Sequence, residues 1–503
     1  MYEDLREAYT VTNLPAITLG GIVVADELIP ESKVEVVLKS FNRHGLIAGA
    51  TGSGKTKTIQ VLCEQLSLSG VPTLVMDIKG DLSGIAVAGQ ENASIIERTR
   101  SLGLEFNPRG YPTEFLSLSA TQSAVPLRAT VESFGPLLFS RMLDINETQE
   151  GVIAVLFQFA KQNNLPLIDL ADIKSLLQFA QTERGKTQIE SKYGVIATTS
   201  LGTIVRKIVA LETQGGNDFF GAPEFNVQDL VRTTTNGLGI ISIVRLLDMQ
   251  EKPDLFSTFM LKLLSDVYNC MPEIGDPEKP KLVLFIDEAH LIFKNASKAL
   301  LRLLDTIVKL IRSKGIGLIF CTQTPNDIPE NILSQLGLKI QHTLRAFTAK
   351  DRTSIKLVAQ NFPPSTYYQT DQLLTHLGIG EALMTALDSK GQPEPLIQCR
   401  IRAPESRMGI LTTQELNELV ARSSLYAQYG TPQHQRSAKD ILSADSVAAT
   451  STTPEEKGPI AQKGTDLFQS LSKNTLVRQI IRQMVRDWTR AIMKALGFNK
   501  GRK

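Results

Sequence analysis

The feature that limits this chain most is the octapeptide GATGSGKT, Gly49 to Thr56, which follows the apolar run Leu46-Ile47-Ala48. It fits G-x-x-x-x-G-K-[ST] in full, a pattern that has mechanical meaning where a buried strand turns into a helix. Glycines let the backbone N–H groups of Gly49, Ala50, Thr51, Gly52, Ser53 and Gly54 turn inward and cradle phosphate oxygens. The helix expected from Lys55 adds the positive end of its dipole. Lys55 is placed to reach the β- and γ-phosphates, and the Thr56 hydroxyl to bind Mg2+. The alternative is a Gly/Ser-rich turn with no ligand, and the strand-loop-helix context weighs against it.

Hydrolysis needs a second, acidic element. KLVLFIDEAH at 281–290 supplies it, ending five apolar residues on Asp287 and Glu288. Asp287 is expected to orient Mg2+ through its water shell, and Glu288 to polarise the attacking water. Read without the loop, the same pair would equally open a solvated helix. IGLIFCTQ at 316–323 ends in Thr322 and Gln323, where a polar side chain either senses the γ-phosphate or belongs to a plain strand-end loop. LVMDIKGDLSG brings Asp77, Lys79 and Asp81 to the carboxyl edge of another strand, where nucleotide sites form in α/β sheets. No NKxD guanine-reading motif occurs, which favours ATP over GTP.

Strand 45–49, helix 55–69 and strand 73–78 alternate in the order that makes a parallel α/β sheet. The alternation returns with strands at 237–246, 281–290, 316–323 and 338–346. Between 128 and 215 apolar residues recur at helical spacing, which predicts a helical insertion. The expected division is a short N-terminal β segment over 1–43, a core in two parts over 44–127 and 216–410, the insertion over 128–215, a helix and flexible linker over 411–465, and a basic amphipathic helix over 466–503. The linker rests on composition: residues 430–464 are rich in Gly, Ser, Thr, Pro, Gln and Ala.

Overall charge names no partner, since 54 basic and 52 acidic residues leave +2. Cys63, Cys270, Cys321 and Cys399 lie far apart without a CxxC pair. That argues against structural zinc and a disulfide framework, and for a reducing cytoplasm. The N-terminus is polar, and no uninterrupted apolar run reaches about 18 residues, so neither export nor a membrane span is expected. In the tail, Arg478, Arg482, Arg486, Arg490 and Lys494 recur every four residues beside an apolar stripe that includes Trp488. Such a helix would dock on the rest of the chain, track DNA phosphates, or make a peripheral membrane contact through residues 474–497.

Taken together, GLIAGATGSGKT, MDIKGDLSG, VPLRATVESFGPLLFSRMLDINETQ, LFIDEAHLIF, the run from LIRSKGIGLIFCTQ to TLRAFTAKD, and LGIGEALMTALDSKGQP resemble the HerA-like branch of the HerA/FtsK ATPases. Within it the likeness is to the bacterial group typified by YjgR, over residues 12 to 410. The resemblance implies a RecA-like core, a hexameric homo-oligomeric ring and ATP-driven movement along double-stranded DNA. It carries Lys55 and Thr56 over as loop residues, Asp287 and Glu288 as the acidic strand end, and Gln323 as the sensor. Ring ATPases of this kind complete each site with an arginine from the next subunit, for which Arg312 and Arg345 are the candidates. A nuclease partner is a further implication. The chain departs from better-known members in its short N-terminal segment, with no large β-barrel, membrane spans or winged helix. Two other readings are an ATPase that moves a protein substrate at the membrane surface and a nucleotide-gated scaffold without turnover, against which Glu288 stands.

Overall fold

The computed structural model describes residues 2–119, 123–295 and 297–450. The expected basic helix over 466–503 therefore lies outside the described residues. These fall into two compact units. One comprises residues up to Ala129, Gln214–Phe219 and Pro223–Gln433; the other comprises Thr130–Thr213, Phe220–Ala222 and the residues from His434.

The first unit is built on one 13-stranded sheet. In chain order the strands are β1 (Ala16–Val24), β2 (Glu27–Leu28), β3 (Val34–Val37), β4 (Gly45–Ala48), β5 (Thr73–Asp77), β6 (Thr113–Ser117), β7 (Val125–Pro126), β8 (Ile241–Arg245), β9 (Leu282–Ile286), β10 (Ile316–Thr322), β11 (Leu338–Gln341), β12 (Glu381–Thr385) and β13 (Ile397–Ile401). Their spatial order is β2-β1-β13-β12-β11-β4-β10-β9-β5-β8-β6-β7, with β3 paired to β1. The stretch from β11 to β7 is parallel, and the stretch from β12 to β2 antiparallel. This is the α/β core with a mostly parallel sheet that the sequence predicts.

The central strands read as continuous apolar runs because helices cover both faces of a parallel sheet. Every residue of LVLFI in β9 and of IGLIFCT in β10 is buried. Helix Lys55–Leu68 and helix Pro253–Cys270 bury most of their length in the same unit. Register then fixes the site. Ala48 stands beside Thr322, Phe320 beside Ile286, and Met76 beside Ile286. The residues just past the ends of β4, β5, β9 and β10 therefore emerge along one edge of the sheet.

The second unit is helical. Its helices Val131–Met142, Glu147–Gln162, Leu170–Phe179, Glu183–Tyr193 and Thr198–Thr213 bury Ile153, Leu156, Ile173, Leu176, Ile204 and Ile208. Capping boxes at Asn146/Gln149 and Asp169/Asp172 start two of them. Among the described residues no single helix is long and apolar enough to cross a membrane.

The chain beyond the sheet departs from expectation in two places. Residues 438–450, read as part of a flexible linker, form the helix Ala438–Thr450. It packs on Leu170–Phe179, with Ala438 N–H on the Pro166 carbonyl and Lys439 N–H on Asp172. Alanine is the strongest helix former, so a segment that composition reads as linker still forms a helix where it meets a neighbour. The helix expected within 411–465 ahead of that linker is two short ones, Thr413–Ala421 and Ser424–Tyr429.

Candidate nucleotide site

The loop from Gly49 to Gly54 leaves β4 at the carboxyl edge and is tied down on both sides. Gly49 N–H donates to the Thr322 carbonyl at 3.3 Å, and Ala50 N–H to Thr343 at 2.9 Å. Across the loop, Gly380 N–H donates to the Ser53 carbonyl at 3.1 Å. Two glycines are required here. Gly54 has φ +114°, and a Cβ on Gly49 would stand 2.5 Å from Cβ of His342.

Lys55 opens the helix and folds back on the loop, its ammonium 2.5 Å from the Gly49 carbonyl and 3.1 Å from that of Ala50. Burial and the nearby Lys79 charge lower its pKa. Thr56, half-buried, sits beside it in the first turn. Ser53 Oγ is buried and has no hydrogen-bond partner among the described residues. A tight glycine loop carrying a lysine and an unsatisfied buried hydroxyl fits a phosphate chain.

Asp287 and Glu288 follow β9 at the same edge, both buried. Asp287 accepts a hydrogen bond from Glu288 N–H at 2.9 Å. Burial, and then the Glu288 charge, push its carboxyl up to about 7. Glu288 has φ +46°, a left-handed backbone that costs a non-glycine residue about 1–3 kcal/mol and tends to mark working sites. Its Oε1 carries the ammonium of Lys79. His290 Nδ1 lies 3.1 Å from Oε2 without hydrogen-bond alignment. Burial alone would raise the Glu288 carboxyl, but the Lys79 hydrogen bond and the charges around it hold it below the usual range.

Gln323 is exposed just past β10, between the loop and the acidic pair, whereas the Thr322 hydroxyl is turned onto Asp327 at 2.7 Å. The two candidate arginines part company. Arg345 reaches the loop of its own chain, with Nη2 3.5 Å from the Thr51 carbonyl. Arg312 precedes β10, at the opposite edge of the sheet, and pairs with Asp276 at 3.1 Å beside Lys39.

Two supports escaped sequence reasoning. Arg98 donates to the carbonyls of Ile379, Gly380 and Ile401 and so braces the turn that meets Ser53. His342 Nδ1 donates to the Glu381 carbonyl while Nε2 takes the Thr58 hydroxyl, both at 2.9 Å. Burial pushes this imidazole down to about 4. The only sequence signal for either was a lone polar residue, such as His342 directly after the strand LKIQ.

Comparison with known proteins adds relatives at low identity. The chain is 24% identical over 353 residues to the DNA double-strand break repair helicase HerA of Sulfurisphaera tokodaii, covering 67% of this chain and 61% of that protein. It is 22% identical over 407 residues to the protein of the same name from Saccharolobus solfataricus, covering 76% and 68%. Thus the chain spans about three fifths of the length of the first relative. In solved structures it shares its fold with the plasmid coupling protein TrwB in complex with ADP and Mg2+, at 13% identity and a TM-score of 0.52, over 81% of this chain and 94% of that one. A family model described as helicase HerA-like C-terminal matches residues 24–496, and the chain belongs to that family.

Proposed function

We propose that this protein is a motor that hydrolyses ATP with Mg2+ and moves along double-stranded DNA as a homo-oligomeric ring, hexameric in the pattern of its family. The observation that carries the reading is the parallel register of β4, β10, β9 and β5, which gathers the loop, Lys55, Gln323, Asp287, Glu288 and Lys79 on one edge. Lys55 and the loop N–H groups bind the phosphates, and Glu288 orients and deprotonates the attacking water. Thr56 and Asp287 hold Mg2+, which when bound offsets charge on the phosphates. Among the described residues no three His, Cys, Asp or Glu side chains cluster as a metal site, which suits an ion completed by phosphate and water.

DNA as the substrate is supported by the HerA relatives, which are named as DNA repair helicases. Assembly is supported by Arg312, whose place beyond the far edge of the sheet is suited to a neighbouring subunit's site rather than its own. A cytoplasmic location is supported by four free cysteines. The nuclease partner and the membrane contact through residues 474–497 rest on the resemblance and on the tail's sequence alone.

The test is the steady-state ATPase rate with Mg2+ at one fixed salt concentration, without DNA and with duplexes of increasing length. Stimulation that grows with duplex length is expected. A rate indifferent to every DNA would favour a protein substrate at a membrane surface.

A further inference from the structure

The edge of the sheet opposite the phosphate loop carries a charge cluster of its own. There the chain enters β10 through the short 3-10 turn Ile311–Lys314, whose two basic side chains are used differently. Lys314 is buried, its ammonium 2.7 Å from the Met271 carbonyl and 3.1 Å from Glu273. The Arg312 side chain is 40% exposed and pairs with Asp276, Nη2 to Oδ2 at 3.1 Å.

Asp276 is held in place from two sides. Ile274 N–H and Gly275 N–H both donate to the Ser313 carbonyl, at 2.8 and 2.9 Å, and buried Asn42 donates through Nδ2 to the Pro277 carbonyl at 3.1 Å. The loop that carries Asp276 is thereby tied both to the Arg312 turn and to the 3-10 turn Leu38–Arg43. From the latter, Lys39 and Arg43 come to the same Oδ2, at 3.0 and 3.9 Å. Partial burial would raise this carboxyl, but the Lys39 hydrogen bond and the Arg312 charge hold it below the usual range, so it is ionised at neutral pH. One carboxylate thus faces three cations. Exposed ion pairs contribute little to stability, and cations in excess of their acid repel one another, so stability alone does not call for this arrangement. What it does provide is a guanidinium held in one direction at an exposed edge, with positive charge around it. A free arginine side chain samples many rotamers, and freezing it costs entropy; donors fixed beforehand avoid that cost when charge develops on a phosphate.

We propose that Asp276 is a positioning residue for hydrolysis: with Lys39 and Arg43 around it, it holds the Arg312 guanidinium ready for the nucleotide of the neighbouring subunit. The inference rests on the reading of Arg312 as the arginine offered in trans. Asp276 acts only through Arg312, so its loss is felt at the neighbour's site and not at its own.

The test measures turnover at saturating ATP and Mg2+, and calorimetric affinity for a non-hydrolysable ATP analogue, on the full chain. Asp276→Asn keeps the size of the side chain and removes its charge. It is expected to lower turnover by roughly tenfold with analogue affinity unchanged, and Asp276→Glu to recover part of the loss. Mixing then locates the defect. In oligomers of Asp276→Asn and Glu288→Gln chains, turnover per intact Glu288 should rise, because some interfaces pair an intact Glu288 with an Arg312 held by an intact Asp276. A defect confined to the substituted chain's own site gives no such rise. The proposal is overturned if Asp276→Asn turns over at the wild-type rate, if it loses analogue affinity as well, or if mixing brings no recovery. Arg312→Ala separates this assignment from the reading beneath it. At wild-type turnover it removes the arginine in trans and the role of Asp276 together, whereas a crippled Arg312→Ala beside an unaffected Asp276→Asn overturns the positioning alone.

Discussion

The ammonium of Lys79 rests on the carboxylate of Glu288, joining the turn after β5 to the end of β9. The two strands are parallel neighbours, with Val75 beside Phe285 and Met76 beside Ile286, so residues just past their ends are bound to meet. Lys79 thereby fixes the direction of a carboxylate that already sits on a left-handed backbone.

If that contact positions the base, Lys79→Met should lower the ATPase turnover rate by between about ten- and a hundredfold while ATP affinity holds. Lys79→Arg should recover part of the loss. Glu288→Gln is expected to go further, binding ATP as the wild type does with no measurable turnover. Single-turnover hydrolysis alongside calorimetry separates the two effects, and wild-type turnover in Glu288→Gln would show that another group activates the water.

Lys55 is buried, and its ammonium is held by the carbonyls of Gly49 and Ala50. Lys55→Ala should therefore weaken binding of a non-hydrolysable ATP analogue by at least about thirtyfold, since a buried cation facing phosphate is removed. Unchanged affinity in calorimetry would mean that the loop N–H groups hold the phosphates alone.

Arg312 offers a test of assembly. Arg312→Ala should keep ATP binding and lose about a thousandfold or more in turnover, the usual weight of an arginine that stabilises the transition state from a neighbour. Mixed with Glu288→Gln in one oligomer it should regain activity, because some interfaces then pair an intact Glu288 with an intact Arg312. Mixed oligomers that stay inactive would place the arginine elsewhere.

His44 makes the fold sensitive to acid. Its Nδ1 accepts from Leu318 N–H at 3.0 Å and its Nε2–H donates to the Val308 carbonyl at 2.8 Å, an arrangement open only to the neutral ring. Burial, with Arg312 adding to it, pushes the pKa from 6.5 down to about 4. The unfolded chain thus takes a proton that the folded chain refuses, and stability is lost as pH falls from about 6.5 toward 4. At pH 5 this one residue accounts for about 2 kcal/mol. The midpoint of urea unfolding should fall between pH 7.5 and pH 5, and fall less in His44→Gln; an equal fall would assign the effect to other groups.

The parts of the site legible in the sequence are those whose chemistry is local. Gly49 to Thr56 and Asp287-Glu288 are each written in a few consecutive residues after an apolar run, and periodicity alone separates the helical stretch after Thr130 from the sheet. The contacts hidden from the sequence depend on which strands become neighbours. Lys79 meets Glu288 only because β5 lies beside β9, and Arg98 reaches Gly380 from nearly 300 positions away. The antiparallel half of the sheet was hidden for the same reason, since β1 closes on β13 across the whole length of the core. Ala438–Thr450 was missed because alanine and serine read as linker by composition, whereas a docked helix needs little bulk.

In the proposed motor, ATP turnover at Glu288 drives movement along duplex DNA. That coupling is tested most directly by displacement of a third, triplex-forming strand from a blunt duplex. The wild-type protein should strip that strand with ATP and Mg2+, after a delay that lengthens with the distance from the entry end, and Glu288→Gln should leave it bound. A wild-type protein that hydrolyses ATP on the same duplex yet never displaces the strand at any distance would contradict the claim.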